Sequence, residues 1–403
     1  MGVQEPTVVD DPPRAAPPGR MPSGPVAAPG SPRGRGRSGR ERLTVIEGSR
    51  RHWALRALAV VVVVAVLLQA SQAQAFRVGQ FTNVFIIAIA IVGLNLVTGH
   101  TGLLSIGHSA FFGLGAYTTG VLVARYDAAP MTTIPVAVVL SFALGLLVGL
   151  PSLRIKGLYL ALVTLAVGVS FPEIIRRAEE LTGGAAGLVV RSASLAPPAW
   201  TGLGRAQRGI WMFWVSAAVL LLVMWLSRNL VRSRFGLGMR ATRDHEIAAA
   251  ASGVRVARTK ILAFGVSGAI TGLAGSLFTM YIGALSPDGS FTLLKSIELV
   301  TGLVLGGIAT QLGPLIGAAA VVFLPQLTGS LSTGPLSGVV FGVVLITIVF
   351  VMPEGIAGRI GLWVRRRVAV VPADRPRPAG DAPPASTPAP PPHSNTHNRW
   401  EDQ

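Results

Sequence analysis

The chain contains no cysteine, which excludes disulfides, thiolate metal sites and a cysteine nucleophile. It is also poor in charge, with 13% of its 403 residues Asp, Glu, Lys or Arg, where soluble domains carry about 25%. Lysine stands only at Lys156, Lys260 and Lys295; arginine supplies the other basic groups, the usage of a GC-rich, bacterial genome. The six histidines, His52, His100, His108, His245, His393 and His397, show no ligand spacing, so no metal site is expected. The phosphate-cradling pattern G-x-x-x-x-G-K-[ST] is missing, as are carboxylate pairs and nucleophile–base sets. The chain is therefore expected to be non-catalytic and to bind no cofactor of its own. If ATP and Mg drive it, another subunit must use them.

What is present is apolar. Half the residues are hydrophobic, 48 are glycine, and the mean hydropathy is +0.57. These values point to a bilayer as solvent. The formal charge of +17 does not imply nucleic acid, because the arginines lie in tails and between apolar runs and share no face with stacking aromatics. The expected fold is an all-α membrane protein, a polytopic helical bundle of about ten spans, eight to ten in all. Runs of a length suited to about 30 Å of hydrocarbon are Ala54–Gln69, Phe81–Val97, Leu103–Val123, Ile134–Leu150 and Gly157–Ile174. They continue with Ile210–Leu226, Ile261–Tyr281, Ser296–Ala309, Leu312–Thr328 and Leu336–Met352. The bundle occupies residues 48–367. Residues 1–47 and 368–403, rich in Pro, Gly and Arg, are expected to be disordered cytoplasmic tails.

An even span count puts both termini on one side, and basic loops mark the cytoplasm. Arg154, Lys156 and the segment 227–260, with seven arginines and Lys260, then fall inside. The loop Arg176–Arg208 dissents, with its arginines outside. Residues 54–75 imitate a signal peptide ending in Ala73-Gln74-Ala75, but the 50 residues before them are too long for an ordinary n-region. An uncleaved first helix fits the parity.

Four segments combine glycine with polar groups at membrane depth. Gly93–Gly120, GLNLVTGHTGLLSIGHSAFFGLGAYTTG, carries Asn95, Ser105, His108 and Tyr117. Its gap Thr98–Gly102 reads either as a tight turn or as a break in a discontinuous helix of the kind that exposes backbone groups to a solute. The glycines read equally as close-packing positions, with His108 an interior histidine. Gly157–Glu173 places Tyr159 and Thr164 in an apolar helix, at a spacing that does not make one face. Leu299–Pro325, with Gly306 and Gly307, parallels Gly93–Gly107 loosely, as an internal repeat would. Arg232–Lys260 is too polar to insert. Within it Arg240–Ser252 reads as a short helix ending at Gly253, which gains stability by docking into a partner's groove.

At these four segments the chain resembles the LivM branch of the branched-chain amino acid ABC transporter permeases. The motifs are GLNLVTGHTGLLSIGHSAFFGLGAY, RATRDHEIAAAASGVRVARTKILAFGVSGAITGLAGSLF, SPDGSFTLLKSIELVTGLVLGGIATQLGPLIGAA and MPEGIAGRI, and the likeness covers roughly residues 80–362. The resemblance implies a permease subunit of an ATP-driven importer that forms half of a translocation path for branched-chain or similar amino acids. It implies a second, LivH-like permease, two ABC ATPase subunits, an extracytoplasmic solute-binding protein and the lipids of a bacterial cytoplasmic (inner) membrane, with no nucleic acid. Arg240, Asp244, Glu246, Ala249, Ala250 and Gly253 stand in its ATPase-coupling region, although Glu246 and Gly253 are spaced differently from the general importer motif. Asn95, Ser105, His108, Tyr117, Tyr159, Thr164, Gly306 and Gly307 are the candidate path residues. A permease for urea or a short amide shares these motifs. An ion-coupled secondary transporter would carry more charge inside its spans.

Overall fold

The structure is a computed structural model. It describes residues 43–46, 67–155, 157–191, 194–198, 201–331 and 368–371, with shorter pieces between 61 and 65 and between 342 and 359. Most of the expected spans Ala54–Gln69 and Leu336–Met352, and most of both tails, lie outside the described residues.

The described chain is helical almost throughout. Helix α1 is Ala75–Leu94 and runs on as a π-helical segment, Asn95–His100. Then follow α2 His108–Tyr126, α3 Pro130–Gly149, α4 Leu158–Arg177 and α5 Arg208–Arg232. Two short helices, α6 Arg234–Asp244 and α7 Glu246–Ala251, precede the long α8 Val256–Ile282. A turn of helix, α9 Pro287–Ser290, leads into α10 Leu293–Gly306, and α11 is Gly313–Leu331. Among the described residues, six stretches are long and apolar enough to cross a membrane: 75–100, 130–153, 158–177, 208–232, 256–282 and 287–306, with 313–327 a shorter apolar helix.

The bundle sorts by polarity. The segments 75–100 and 256–282 are 83% and 67% buried, while 130–153 and 208–232 are 33% buried. From Val84 to Val92 helix α1 is Val, Phe, Ile and Ala on every side, as an enclosed stretch of helix must be. The peripheral helices turn Val139, Leu147, Leu162, Leu221 and Leu222 outward, a face suited to hydrocarbon. Helix α2 is not among the six because glycine, Thr and His dilute its apolarity, yet it is buried along His108–Ala116. It packs on α8 instead of on lipid. A Cβ at Gly115 would fall on the Gly272 carbonyl, and one at Gly275 on that of Phe112. These glycines let the two backbones touch.

Two expectations are corrected. The span expected to begin at Leu103 begins at His108, because residues 102–107 are non-helical and Gly102 turns the chain at φ +73°. Several other helices run past their apolar cores, α8 by five residues at its start, since backbone hydrogen bonding does not stop where side chains become polar. Within the segments expected to lack structure, Leu43–Ile46 (β1) pairs in parallel with Val368–Val371 (β4). Both are β-branched runs that favour strand, and the pairing sets the start and end of the bundle side by side. A second small sheet joins β2 Leu188–Val189 to β3 Ala284–Leu285, antiparallel.

Contacts identify the two ends of the bundle. At one, Arg243 donates to the Gly99 carbonyl, Lys260 to that of Ser152, and Asn95 to that of Thr310. The connections at 99–107, 151–155, 233–255 and 307–312 therefore meet there. At the other, the β2–β3 pair closes the loop after α4 against the end of α8. The Arg208 guanidinium there caps the Met280 and Tyr281 carbonyls at 2.7 and 3.0 Å, a cation at a helix C-terminus. Helix α2 thus crosses from one end to the other, as the sequence reading expects of it.

Candidate functional site

The polar segment between α5 and α8 folds from its own sequence. Ser233 caps α6, its hydroxyl accepting from the Gly236 amide at 3.4 Å. The single helix expected over Arg240–Ser252 is two helices, broken at His245 with φ −158° and ψ 103°. The break frees Glu246 to begin α7, where a carboxylate favours the N-terminal end. Four alanines carry α7 on. It stops in a Schellman motif, with the Val254 amide on the Ala249 carbonyl and the Gly253 amide on that of Ala250, each 3.0 Å. Gly253 sits at φ +83° with open space around it, as the sequence expectation of a helix-ending glycine requires.

The six expected coupling residues divide by burial. Ala249 is buried at 3% and seats α7 on the bundle. Arg240, Asp244, Ala250 and Gly253 are exposed, and Arg240 reaches the Val231 carbonyl at 3.3 Å. In the same segment Ile247 is 75% and Leu237 57% exposed, apolar side chains turned outward in an arginine-rich stretch. Glu246 is part-buried and accepts from Lys260 at 2.8 Å. Lys260 is 2% exposed and also donates to the Ser152 carbonyl at 3.4 Å. One ammonium group thus ties α7, α8 and the 151–153 turn together.

A second tie starts at Arg243, which donates to the Gly99 carbonyl in the π-helical segment and packs under Gly102. A π-helix widens the backbone and leaves carbonyls off the α register, so an outside donor can take one. Asn95 carries the link onward. Its amide nitrogen donates to the Thr310 carbonyl at 3.0 Å, and its Oδ1 accepts from the Ala309 amide at 2.8 Å. Ala309 holds φ +59°, a left-handed conformation that a side-chain-bearing residue keeps only when its surroundings impose it. Gly306 and Gly307 border the same loop. A Cβ at Gly306 would meet the Gly313 carbonyl, and Gly307 (φ +107°) abuts residues 354–358. The two helix–break–helix segments compared in the sequence, 93–107 and 302–317, thus touch through Asn95.

The remaining path residues lie elsewhere. His108 is fully buried, with Nδ1 2.8 Å from Ser105 Oγ and Nε2 2.8 Å from Ser267 Oγ; Ser267 in turn donates to the Gly93 carbonyl at 2.6 Å. Thr164 accepts from the Ile106 amide at 3.0 Å and pins the non-helical stretch. Tyr117 packs against Phe291 and Phe171 with ring centroids 5.2 and 6.3 Å away, and its hydroxyl is buried without a partner. Tyr159 is 74% exposed at the start of α4, away from all of these. The eight residues therefore form a loop knot, a buried histidine network, an aromatic cluster and an isolated tyrosine, and do not line one cavity. Sequence reasoning missed Lys260, Arg243 and Ser267. Only Lys260 carried a signal, as one of three lysines in the chain.

A helical bundle with apolar outward faces, glycine-mediated interior contacts and one polar helical segment docked on its end is a polytopic membrane protein. The model of the branched-chain amino acid transport system permease component matches residues 77–349, and the chain belongs to that family. It is 32% identical over 264 residues to the high-affinity branched-chain amino acid transport permease LivM of Salmonella typhimurium, and 31% identical to that of Escherichia coli. Each alignment covers 61% of this chain and 62% of the relative, so the chain spans less than two thirds of the LivM proteins it matches. The LivH permease of Escherichia coli is 23% identical over 68% of the chain and 91% of its own length. No solved structure matches.

Proposed function

We propose that this chain is a permease subunit of an ATP-driven importer and forms half of a path for branched-chain or similar amino acids. It pairs with a second, LivH-like permease in a bacterial cytoplasmic membrane, both termini inside. An extracytoplasmic binding protein delivers solute, and two ATPase subunits supply ATP and Mg chemistry. Family membership and the LivM relatives support the class. The observation that carries the mechanism is the pair of ties from the exposed α6–α7 surface into the bundle. Lys260–Glu246 leads to α8 and Arg243–Gly99 to the π-helical end of α1, the two most enclosed of the six spans.

In this reading ATP binding draws the α6–α7 surfaces of the two permeases together. The ties pass that displacement to α1 and α8, and the path opens outward; hydrolysis resets it. A partner shifts such an equilibrium only by its differential affinity for the two states, so the exposed apolar patch must be gripped differently by open and closed ATPases. Replacing Ile247 with Asp or Ala250 with Trp, in the assembled importer in proteoliposomes, is expected to abolish ATP-dependent leucine uptake while the chain still inserts. Uptake at the parental rate in both variants would sink the proposal.

A further inference from the structure

A cleft of about 490 Å³ opens between α1, α10 and α11, lined by Asn83, Ile297, Glu298, Thr301, Val321 and Gln326 among others. None of the eight path residues read from the sequence lines it. Its chemistry is wrong for a wall that meets hydrocarbon. Glu298, its side chain 30% exposed, stands on an apolar face between Leu294 and Ile297, which are 75% and 46% exposed. A carboxylate within a span is costly unless it faces a water-filled cavity or a partner. Lys295 engages Oε2 at 3.0 Å from one turn earlier. It sits over the Phe112 and Phe278 rings, 5.7 and 5.8 Å from their centroids, and is not among the residues lining the cleft. Glu298 Oε1 has no hydrogen-bond partner among the described residues.

On the α1 wall, Asn83 Oδ1 is buried and has no hydrogen-bond partner. A buried acceptor left so is destabilising, a cost that a donor entering the cleft removes. The cleft therefore offers two unfilled acceptors, one of them the free oxygen of a carboxylate that Lys295 already engages, which suit a group with several N–H donors. It also offers donors. Gln326 receives the Gln80 amide on its oxygen at 2.7 Å, which leaves its own amide nitrogen to donate, and Thr301 adds a hydroxyl. Leu294, Ile297, Val321 and Val322 supply the apolar remainder.

From this we infer that the cleft is a binding station for a small aliphatic amino acid. Glu298 Oε1 and Asn83 Oδ1 receive its ammonium, Thr301 and Gln326 its carboxylate, and the aliphatic residues its side chain. The inference rests on the importer reading above and names where the solute is held.

The chain's lack of cysteine makes the test direct, because any thiol introduced is the only one in this subunit. In the reconstituted importer, Thr301→Cys is expected to react with a membrane-impermeant thiosulfonate, and leucine with ATP to slow the reaction. Leu222→Cys, on the outward apolar face of α5, is expected to stay unlabelled. Glu298→Gln is expected to lower leucine uptake at least about tenfold, the loss of one charge-assisted bond, with Glu298→Asp recovering part of it. Size-exclusion chromatography of each purified variant confirms assembly. An unreactive Thr301→Cys, labelling that leucine does not slow, or parental uptake by Glu298→Gln would each overturn the site. Failure of the parental importer to move leucine overturns the importer reading instead, and is recognised because the unmodified complex is the failing sample.

Discussion

Lys260 shows how much one residue can carry in a chain so poor in charge. The residue is 2% exposed, and its ammonium is satisfied by Glu246 at 2.8 Å and the Ser152 carbonyl at 3.4 Å. Burying an ion pair is weak evidence of net stability, but breaking one from one side leaves an uncompensated charge and costs about 3–5 kcal/mol. Glu246→Gln alone is therefore expected to lower the melting temperature of the detergent-purified protein markedly. The double variant Glu246→Gln, Lys260→Met is expected to recover most of the loss, because no charge then remains buried. A double variant as unstable as the single one would show that the pair contributes packing and not charge. His108 and Asn95 work at the same scale with neutral bonds. Each joins segments far apart in sequence, Asn95 to Ala309 and Thr310 and His108 to Ser267. Their residue types marked them as costly at membrane depth, but nothing in the sequence named their partners.

Among the elements, α7 is the clearest case of local sequence dictating local form. Alanines favour helix, and glycine at the left-handed position ends it without the penalty a side chain meets there. Gly253 has open space around its α-carbon, so substitution tests backbone conformation alone. Gly253→Val is expected to cost about 1–2 kcal/mol at φ +83°. That cost should appear as faster amide exchange over 246–254 with unchanged exchange in α1 and α8. Uniform loss of protection would mean that α7 supports the whole bundle. The π-helical end of α1 is a contrasting element. Residues 95–100 contain nothing that separates a π-helix from an α-helix by propensity. The wider turn persists because Arg243 and the 309–310 loop take up its backbone and side-chain groups.

At the scale of the whole molecule, the described helices α1 to α11 gather four of their connections at one end of the bundle and three at the other. Among the described residues, Arg154, Arg228, Arg232, Arg234, Arg240, Arg243, Arg255, Arg258 and Lys260 belong to the first end, and Arg77, Arg125, Arg176, Arg177, Arg191 and Arg208 to the second, where Asp127, Glu173, Glu179, Glu180 and Asp288 stand among them. In the proposed orientation, which the positive-inside rule supports, the first end is the cytoplasmic one. In right-side-out cells or spheroplasts, a single cysteine at Ala251 is expected to label only after permeabilisation, and one at Val189, 72% exposed, without it. The opposite pattern would invert the topology.

The membrane class, the positions of most spans and the helix ending at Gly253 were all legible in the chain, because each depends on nearest neighbours. Apolar run length answers to bilayer thickness, and a left-handed glycine answers to the helix it ends. The glycines were legible as a class but not in their pairing. That Gly115 meets Gly272 and Gly275 meets Phe112 is decided by which helices lie side by side. Tertiary structure alone broke the expected helix at His245, moved the start of α2 to His108 and sent the expected path residues to separate places. It also set Asn83 across a cleft from Glu298. A single chain shows which groups are costly to bury; only packing decides which other group, or which solute, relieves that cost.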